Sequence, residues 1–286
     1  MRRFTDWSGS VFSAQSALVW CALALAGCGD STGGSPSDAA VTTDTSADAA
    51  ADAPADTAAD VSVDAEAPRC SSTPPECQDQ SIQGLGFFDT PNTAAITEES
   101  AEGGVFVSAI DATGGGMTPT RSYIYARFTP TGMARVNISD EQSLRSLDWD
   151  IAFRRFIVRL NSGVSGPSCV DGARTAPSTT FDALTAVPAS LTFRTEQYFT
   201  PPTCDLVPDG SGLGSPSTAL SSFWRYAGCV HMTGNVYVVR LRDGRSVKLQ
   251  VLSYYNEAAQ AQCDDSDTIP TPSGAGHMRV RWAFLP

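Results

Sequence analysis

Cysteine has the clearest chemistry of any residue type in this sequence of 286 residues, which contains eight cysteines. Cys21 and Cys28 lie near the N-terminus. The other six are spread over the rest of the chain: Cys70, Cys77, Cys169, Cys204, Cys229 and Cys263. An even number of cysteines in an exported chain is typical of disulfides, so we expect three, with 15 possible connectivities. Zinc binding is the alternative use, but the sequence contains no C-x-x-C pair.

Position along the chain favours particular cysteine pairs. Cys70 and Cys77 enclose only six residues, so we expect them to pair as a local clip. Cys229 and Cys263 stand a few residues before and after a predicted hairpin and would meet at its open end. We therefore predict Cys229–Cys263, and the pair Cys169–Cys204 follows by elimination.

Carboxylates offer little support for catalysis. Asp148 and Asp150 flank Trp149 and could form a paired-carboxylate site. We favour a structural interpretation, in which one aspartate caps a turn and the other pairs with Arg154 or Arg155.

The two histidines and one further acidic group complete the candidates. The histidines are His231 and His277. The acidic group, Asp264, Asp265 and Asp267, could bind calcium, but the twelve-residue calcium loop is absent, which favours a solvated loop. Because no nucleophile can be paired with a base, we predict that the protein is not an enzyme and has no catalytic residues.

Residues 147–160 are rich in aromatic and β-branched side chains, which predicts a strand. We expect the rest of the domain to be organised around this strand. Trp149, Ile151 and Phe153 would share one face. After Arg154 the alternation of apolar and polar residues shifts by one position. Because such a slip moves side chains to the opposite face, we predict a β-bulge near Arg154–Arg155 or a crossing between two sheets.

Several other segments also have strand character. The clearest hairpin joins Val236–Leu241 to Ser246–Tyr255 through an Asp-Gly turn. Short strands are predicted at Leu191–Phe199 and Met278–Leu285, and Ser165–Thr180 is rich in Gly, Pro and Ser, which predicts a surface loop. Helical periodicity never persists for ten residues. The sequence therefore predicts one antiparallel all-β domain, either a sandwich or an open barrel-like sheet.

The N-terminus, residues 1–27, has the pattern of a secretory signal peptide. Arg2 and Arg3 precede the apolar run Ala17–Ala26, which is shorter than the roughly 20 residues of a spanning helix. Leu25-Ala26-Gly27-Cys28 resembles the bacterial lipobox, which implies cleavage before Cys28 and a diacylglycerol on its sulfur. The alternative is an ordinary signal peptide with a chance cysteine. Two or more acyl chains would anchor the protein stably to a membrane.

Residues 28–68 are rich in Ala and Asp and contain nine acidic residues but no Lys or Arg. With almost no large apolar side chain, this stretch is predicted to be a disordered, self-repelling tether. The formal net charge of the whole chain is −12. A nucleic-acid partner is not expected, because phosphate binding needs a basic face.

Two sequence blocks resemble the HmuY family of bacterial surface lipoproteins. The first comprises Trp149–Phe153 and Val158–Gly166. The second comprises Trp224–Tyr226, Val236–Arg240, Asp243-Gly244, Lys248–Val251 and Tyr254–Tyr255. The resemblance spans about residues 101–285. It places a HmuY-like β domain at 101–286, after a disulfide-clipped segment at 69–100.

The resemblance implies a lipid-anchored ligand-binding protein of the cell envelope, on the outer membrane or cell surface rather than the inner membrane. The implied ligand is haem or a related tetrapyrrole, and an outer-membrane receptor is an implied partner. The alternative is a non-enzymatic structural or adhesion module for a protein or glycan.

The ligand set that the resemblance implies, two histidines between the matched blocks, is missing here. Residues 134–230 contain no His or Met. The candidates for haem ligation are therefore His231, Met232, His277 and Tyr226, with Tyr198 as a substitute.

Overall fold

The structure, a computed structural model, describes residues 69–115, 118–269 and 271–286. The predicted signal peptide, the lipid-attachment residue Cys28 and the acidic tether lie outside the described residues. Among the helices that are described, none is long and apolar enough to cross a membrane.

The described part of the chain is built mainly from antiparallel strands, as predicted. The strands are β1 Ile96–Glu102, β2 Val105–Asp111, β3 Ile124–Thr129, β4 Gly132–Val136, β5 Ile151–Arg154, β6 Ile157–Leu160, β7 Asp171–Arg174, β8 Phe199–Thr200, β9 Asp205–Leu206, β10 Trp224–Ala227, β11 Cys229–Met232, β12 Val236–Arg240, β13 Ser246–Ser253 and β14 His277–Leu285. The helices are α1 Gln78–Gly84, α2 Asp140–Ser143 and α3 Glu257–Ser266.

Two sheets form the body of the domain. One has six strands in the order β1-β2-β14-β13-β12-β7, and the other has four in the order β4-β3-β5-β6. Their facing side chains share one core, in which Phe153 and Ile124 from the smaller sheet join Trp282 and Tyr237 from the larger. Two smaller hairpins, β8-β9 and β10-β11, complete the strands. This arrangement is a β-sandwich.

The outer faces of both sheets are also covered. Leu85 and Phe87, just after α1, pack with Tyr125 and Trp149 on the outer face of the smaller sheet. Residues 181–193 cover Val238 and its neighbours on the outer face of the larger sheet. Both faces of β5 are therefore buried, which explains its almost wholly apolar sequence.

The segment 147–160 is two strands rather than one, so the prediction of a bulge or a sheet crossing was wrong. β5 and β6 pair antiparallel, with Arg154 opposite Ile157. Arg155 takes a positive φ of 52° at the first of the two turn residues. The apolar phase shifts because the chain reverses. Trp149 precedes β5 and packs on the outer face, apart from Ile151 and Phe153.

Other local predictions were only partly right. The helix α3 was missed; Asn256 caps it, and of its ten residues only Ala259, Gln260 and Cys263 are buried. The predicted loop 165–180 contains β7, an edge strand of the larger sheet. The predicted strand 191–199 is irregular apart from one bridge between Arg194 and Gly172 and the start of β8.

The six cysteines form three disulfides, but two of the predicted pairs were wrong. Cys229 is bonded to Cys263, as predicted. Cys70 is bonded to Cys169 and Cys77 to Cys204, across 99 and 127 residues of sequence. The local clip Cys70–Cys77 does not form, because the segment that carries both cysteines lies against the distant loops with Cys169 and Cys204.

We expect Phe153→Ala to lower the free energy of unfolding by about 3–5 kcal/mol, because the ring is fully buried between the two sheets. The matched control is Phe156→Ala in the same hairpin, where the ring is only half-buried and the loss should be clearly smaller. Urea unfolding of the full-length protein measures both changes. Equal losses in the two variants would contradict the described packing of the hairpin.

Candidate functional site

The clearest cleft lies at one side of the smaller sheet and has a volume of about 520 Å³. Three chain segments line it: residues 73–76, 163–168 and 196–201. We call it the clamped cleft, because two disulfides hold its walls together. Its size falls within the range of about 300–1,000 Å³ that is typical of small-molecule sites.

The disulfides tie the first wall to the other two. Cys70 is bonded to Cys169, directly after the second wall, and Cys77 is bonded to Cys204, just after the third. Between them, the Thr73 N–H donates to the Pro167 carbonyl at 2.8 Å. The cleft is therefore preformed by covalent bonds, which reduces the ordering cost of binding a ligand.

Glu196 connects the cleft to the strands beneath it. Its carboxylate accepts hydrogen bonds from the backbone N–H groups of Leu160 and Ala219, both at 2.8 Å. Its carbonyl accepts from the Val164 N–H at 3.1 Å. Gly163 has a φ of 54°, and a Cβ there would overlap the Glu196 carbonyl oxygen, so the close approach of these two walls requires glycine.

Burial raises the pKa of Glu196 to about 7, although the two backbone donors and the positive charges of Arg159 and Arg194 lower it. Burial likewise raises the pKa of Asp150 to about 6. Asp150 accepts from the Phe128 N–H at 3.0 Å. Neither Asp148 nor Asp150 forms the predicted pair with Arg154 or Arg155, because Arg154 pairs with Asp140 instead.

The cleft combines apolar walls with one free hydroxyl. Pro74, Val164, Phe199 and Pro201 supply apolar surface. The hydroxyl of Ser168 is buried and has no hydrogen-bond partner among the described residues. A ligand with an apolar body would therefore match the walls of the cleft.

Beneath the cleft, Arg159 is fully buried. Its Nε donates to the Ser165 hydroxyl at 2.9 Å, and its guanidinium lies 4.4 Å and 4.5 Å from the ring centres of Phe87 and Tyr123. Tyr198 is also fully buried here, and burial raises its pKa to about 12. Tyr198 is therefore enclosed in the protein and does not line the cleft, which disfavours it as a ligand to iron bound there.

The structure separates the other residues predicted to bind haem. His231 and Met232 are neighbours on β11, so their side chains point to opposite faces of the hairpin. His277 begins β14, in a different sheet. Tyr226 lies on β10 and is 58% exposed. None of these four residues lines the clamped cleft.

His231 already has partners on both ring nitrogens. Its Nδ1 lies 3.3 Å from Asp264, and its Nε2 lies 3.0 Å from Asp267. These aspartates belong to α3 and its C-terminal cap, so the prediction of a loop was wrong, whereas their predicted exposure to solvent is confirmed. His277 is exposed, with its Nδ1 2.9 Å from the Gly274 carbonyl. The residues around the cleft therefore do not fit axial ligation of a haem iron.

Fold and site together define an antiparallel β-sandwich with a preformed side cleft. The sequence profile of the HmuY family, described as "HmuY protein", matches residues 120–264, just over half of the chain. The chain belongs to the HmuY family. The matched residues include two of the three cleft walls, and residues 73–76 lie before them.

Solved structures that match the chain share little sequence with it. A candidate HmuY-like heme-binding protein from Bacteroides vulgatus ATCC 8482 is 18% identical, with a TM-score of 0.41 over 66% of this chain and 96% of that one. A candidate lipoprotein from Bacteroides fragilis NCTC 9343 is 15% identical, with a TM-score of 0.40 over 65% and 94%.

A third structure, an apo HmuY analog from Tannerella forsythia, is 14% identical, with a TM-score of 0.37 over 69% of this chain and all of that one. A comparison with curated proteins finds no match.

The raised pKa of Glu196 predicts that stability falls as the pH rises. Between its ordinary value of 4.5 and about 7, the folded chain holds a proton that the unfolded chain has lost. The free energy of unfolding should therefore decrease across this window, by on the order of 1–3 kcal/mol, and level off above it. Urea unfolding at a series of pH values measures the slope.

Two variants identify the group responsible. Glu196→Gln should abolish the decrease between pH 6 and pH 7, whereas Asp150→Asn should flatten the curve only below about pH 6. A decrease above pH 6 that persists in Glu196→Gln would contradict the assignment.

Proposed function

We propose that this protein is a lipid-anchored ligand-binding protein of the cell envelope and that the clamped cleft binds the ligand. The observation that carries the proposal is a covalently preformed cleft with apolar walls and a free buried hydroxyl, in a chain of the HmuY family. No catalytic role is proposed for Glu196, because backbone N–H groups occupy both of its carboxylate oxygens.

The proposed ligand is haem or a related tetrapyrrole, in agreement with the heme-binding description of the Bacteroides vulgatus structure. Because the cleft has no His, Met or free Cys side chain, binding there would rest on apolar contact and on hydrogen bonds to exposed polar groups such as Thr73 and Thr200. Ligation of iron by His231, His277, Met232 or Tyr226 is not part of this proposal, because these side chains do not converge on the cleft.

Anchoring follows from the N-terminal sequence. Cleavage before Cys28 and lipidation of its sulfur would attach the chain to a membrane, and residues 28–68 would act as a flexible tether. A ligand-binding domain held in this way at the outer membrane or cell surface could pass its ligand to a membrane receptor.

Ligand binding can be tested by titrating the purified full-length protein with haemin and, separately, with metal-free protoporphyrin. We expect both to bind with a shifted Soret band, because the cleft supplies no His, Met or free Cys as an iron ligand. Thr73→Trp, which fills the cleft from an exposed position, should weaken binding of both at least about tenfold.

The controls are Thr131→Trp, at an exposed turn outside the cleft, and His231→Ala. Neither should change the affinity. An unchanged spectrum of free haemin would remove the tetrapyrrole proposal. Binding that is lost in His231→Ala but kept in Thr73→Trp would place the ligand outside the cleft.

Lipid attachment predicts that Cys28→Ser removes the protein from the membrane fraction and abolishes labelling with a radioactive fatty acid. Cys21→Ser, in the same signal peptide, should leave both properties unchanged. The measurement is labelling and fractionation of cells that express the full-length chain. Membrane-bound, labelled Cys28→Ser protein would refute the anchor.

A further inference from the structure

A second group of ligand-type side chains lies between β11 and α3, outside the residues that line the clamped cleft. Cys229, His231 and Cys263 are all buried, and one ligand atom from each lies within 4.8 Å of the others. Among the described residues, this is the group of three that could hold a metal ion. Its members come from two elements of secondary structure, which orient them towards one point.

Periodicity explains why these side chains converge. Cys229 and His231 are two residues apart on a strand, so they share one face. Cys263 lies in the last turn of α3, and Asp267 is the C-cap that follows, with its carboxylate 3.0 Å from His231 Nε2. The Asp267 N–H donates to the Cys263 carbonyl at 3.0 Å, which fixes this last turn. The two elements meet at the buried imidazole.

The imidazole is already oriented as a metal ligand would be. Its Nδ1 lies 3.3 Å from an Asp264 carboxylate oxygen. Its Nε2 points towards the Cys229 sulfur at 3.5 Å and an Asp267 carboxylate oxygen at 3.0 Å. A carboxylate on one ring nitrogen that fixes the other towards the metal is the usual arrangement around zinc-bound histidine.

In the structure, Cys229 and Cys263 form a disulfide, and disulfide sulfurs are not the thiolates that zinc requires. We propose that reduction of this disulfide creates a zinc site with the ligands Cys229, Cys263, His231 Nε2 and Asp267. Two sulfurs, one nitrogen and one oxygen are a suitable tetrahedral donor set for Zn²⁺. Asp264 would be the outer carboxylate that positions His231.

The chemistry is a two-electron exchange followed by metal binding. Two low-molecular-weight thiols give two electrons and two protons to the disulfide sulfurs and leave joined as their own disulfide. Zn²⁺ then replaces the proton of each cysteine thiol and binds both thiolates, with no change in oxidation state. An oxidising disulfide compound reverses the sequence and releases the ion. The disulfide and the zinc site are therefore mutually exclusive.

The site can form without a large backbone movement. The Cα atoms of Cys229 and Cys263 are 6.0 Å apart, so the two side chains need only rotate apart to admit an ion. Hydrogen bonds that do not involve the sulfurs also hold the two elements together. Gln260 of α3 donates to the Val230 carbonyl of β11 at 3.1 Å, and the Val230 N–H donates at 3.0 Å to the hydroxyl of Tyr255, which lies just before α3.

The test uses the full-length protein, reduced with a thiol that is then removed without oxygen, and titrated with Zn²⁺ against a chromophoric chelator. His231→Ala should weaken the tightest site at least about 100-fold, and Asp264→Asn about 10–100-fold. His277→Ala, which changes the exposed histidine, is the matched control and should have no effect. Co²⁺ in place of Zn²⁺ should give the thiolate charge-transfer bands of a tetrahedral site.

Reduction also opens the other two disulfides, so a second measurement locates the ion. Alkylation followed by mass spectrometry should show Zn²⁺ protecting Cys229 and Cys263 more than Cys70, Cys77, Cys169 or Cys204. Equal protection of all six cysteines would indicate binding to an unfolded chain and would overturn the proposal. So would unchanged affinity in His231→Ala.

Discussion

The burial of both faces of the four-stranded sheet is the constraint on which the rest of the structure depends. The inner face packs on the larger sheet, but the outer face carries Trp149 and Tyr125 and needs a cover of its own. The chain supplies it from the short segment around α1. A segment of this length cannot bury enough apolar surface to fold alone. Disulfides at Cys70 and Cys77 hold it in place, and the cleft forms where it meets the loops.

Buried charges specify where this cover sits. The Arg154 guanidinium donates to the carbonyls of Leu85 and Gly86, at 2.6 Å and 2.9 Å, and lies 3.5 Å from the Asp140 carboxylate. Asp140 in turn accepts from the Tyr123 N–H at 2.8 Å. Because a buried charge without partners is costly, displacement of the cover would leave these groups unpaired. We interpret this network as fixing the position of the covering segment on the sheet more than as adding to the free energy of unfolding.

The sequence predicted the parts of the fold that depend on local patterns. The β12–β13 hairpin and the final strand were found because alternation and an Asp-Gly turn mark them. The β5–β6 hairpin was misread because its turn contains Arg155, where Gly or Asn would have been the signal. The helix α3 was missed because its few buried residues leave no apolar stripe.

The site was harder to predict than the fold because its parts are distant in sequence. Cys70 and Cys77 look like a local pair, and only the three-dimensional path of the chain shows that each joins a loop more than 90 residues away. No sequence pattern connects residues 73–76 with 196–201. The burial of the Glu196 carboxylate could not be predicted, because the residues around it form no recognisable motif.

The absence of His and Met from residues 134–230 has a structural counterpart, because two of the three cleft walls come from this stretch. A chain that kept the family fold but relied on His or Met to ligate iron at this cleft would need such a residue there. The cleft instead offers the carboxylates of Glu76 and Glu196, hydroxyls, the Gln197 amide and apolar surface. The one buried histidine is held by α3, beside a disulfide and two carboxylates. The chain thus separates its preformed cleft from its best metal-binding side chains, so the two sites can differ in ligand.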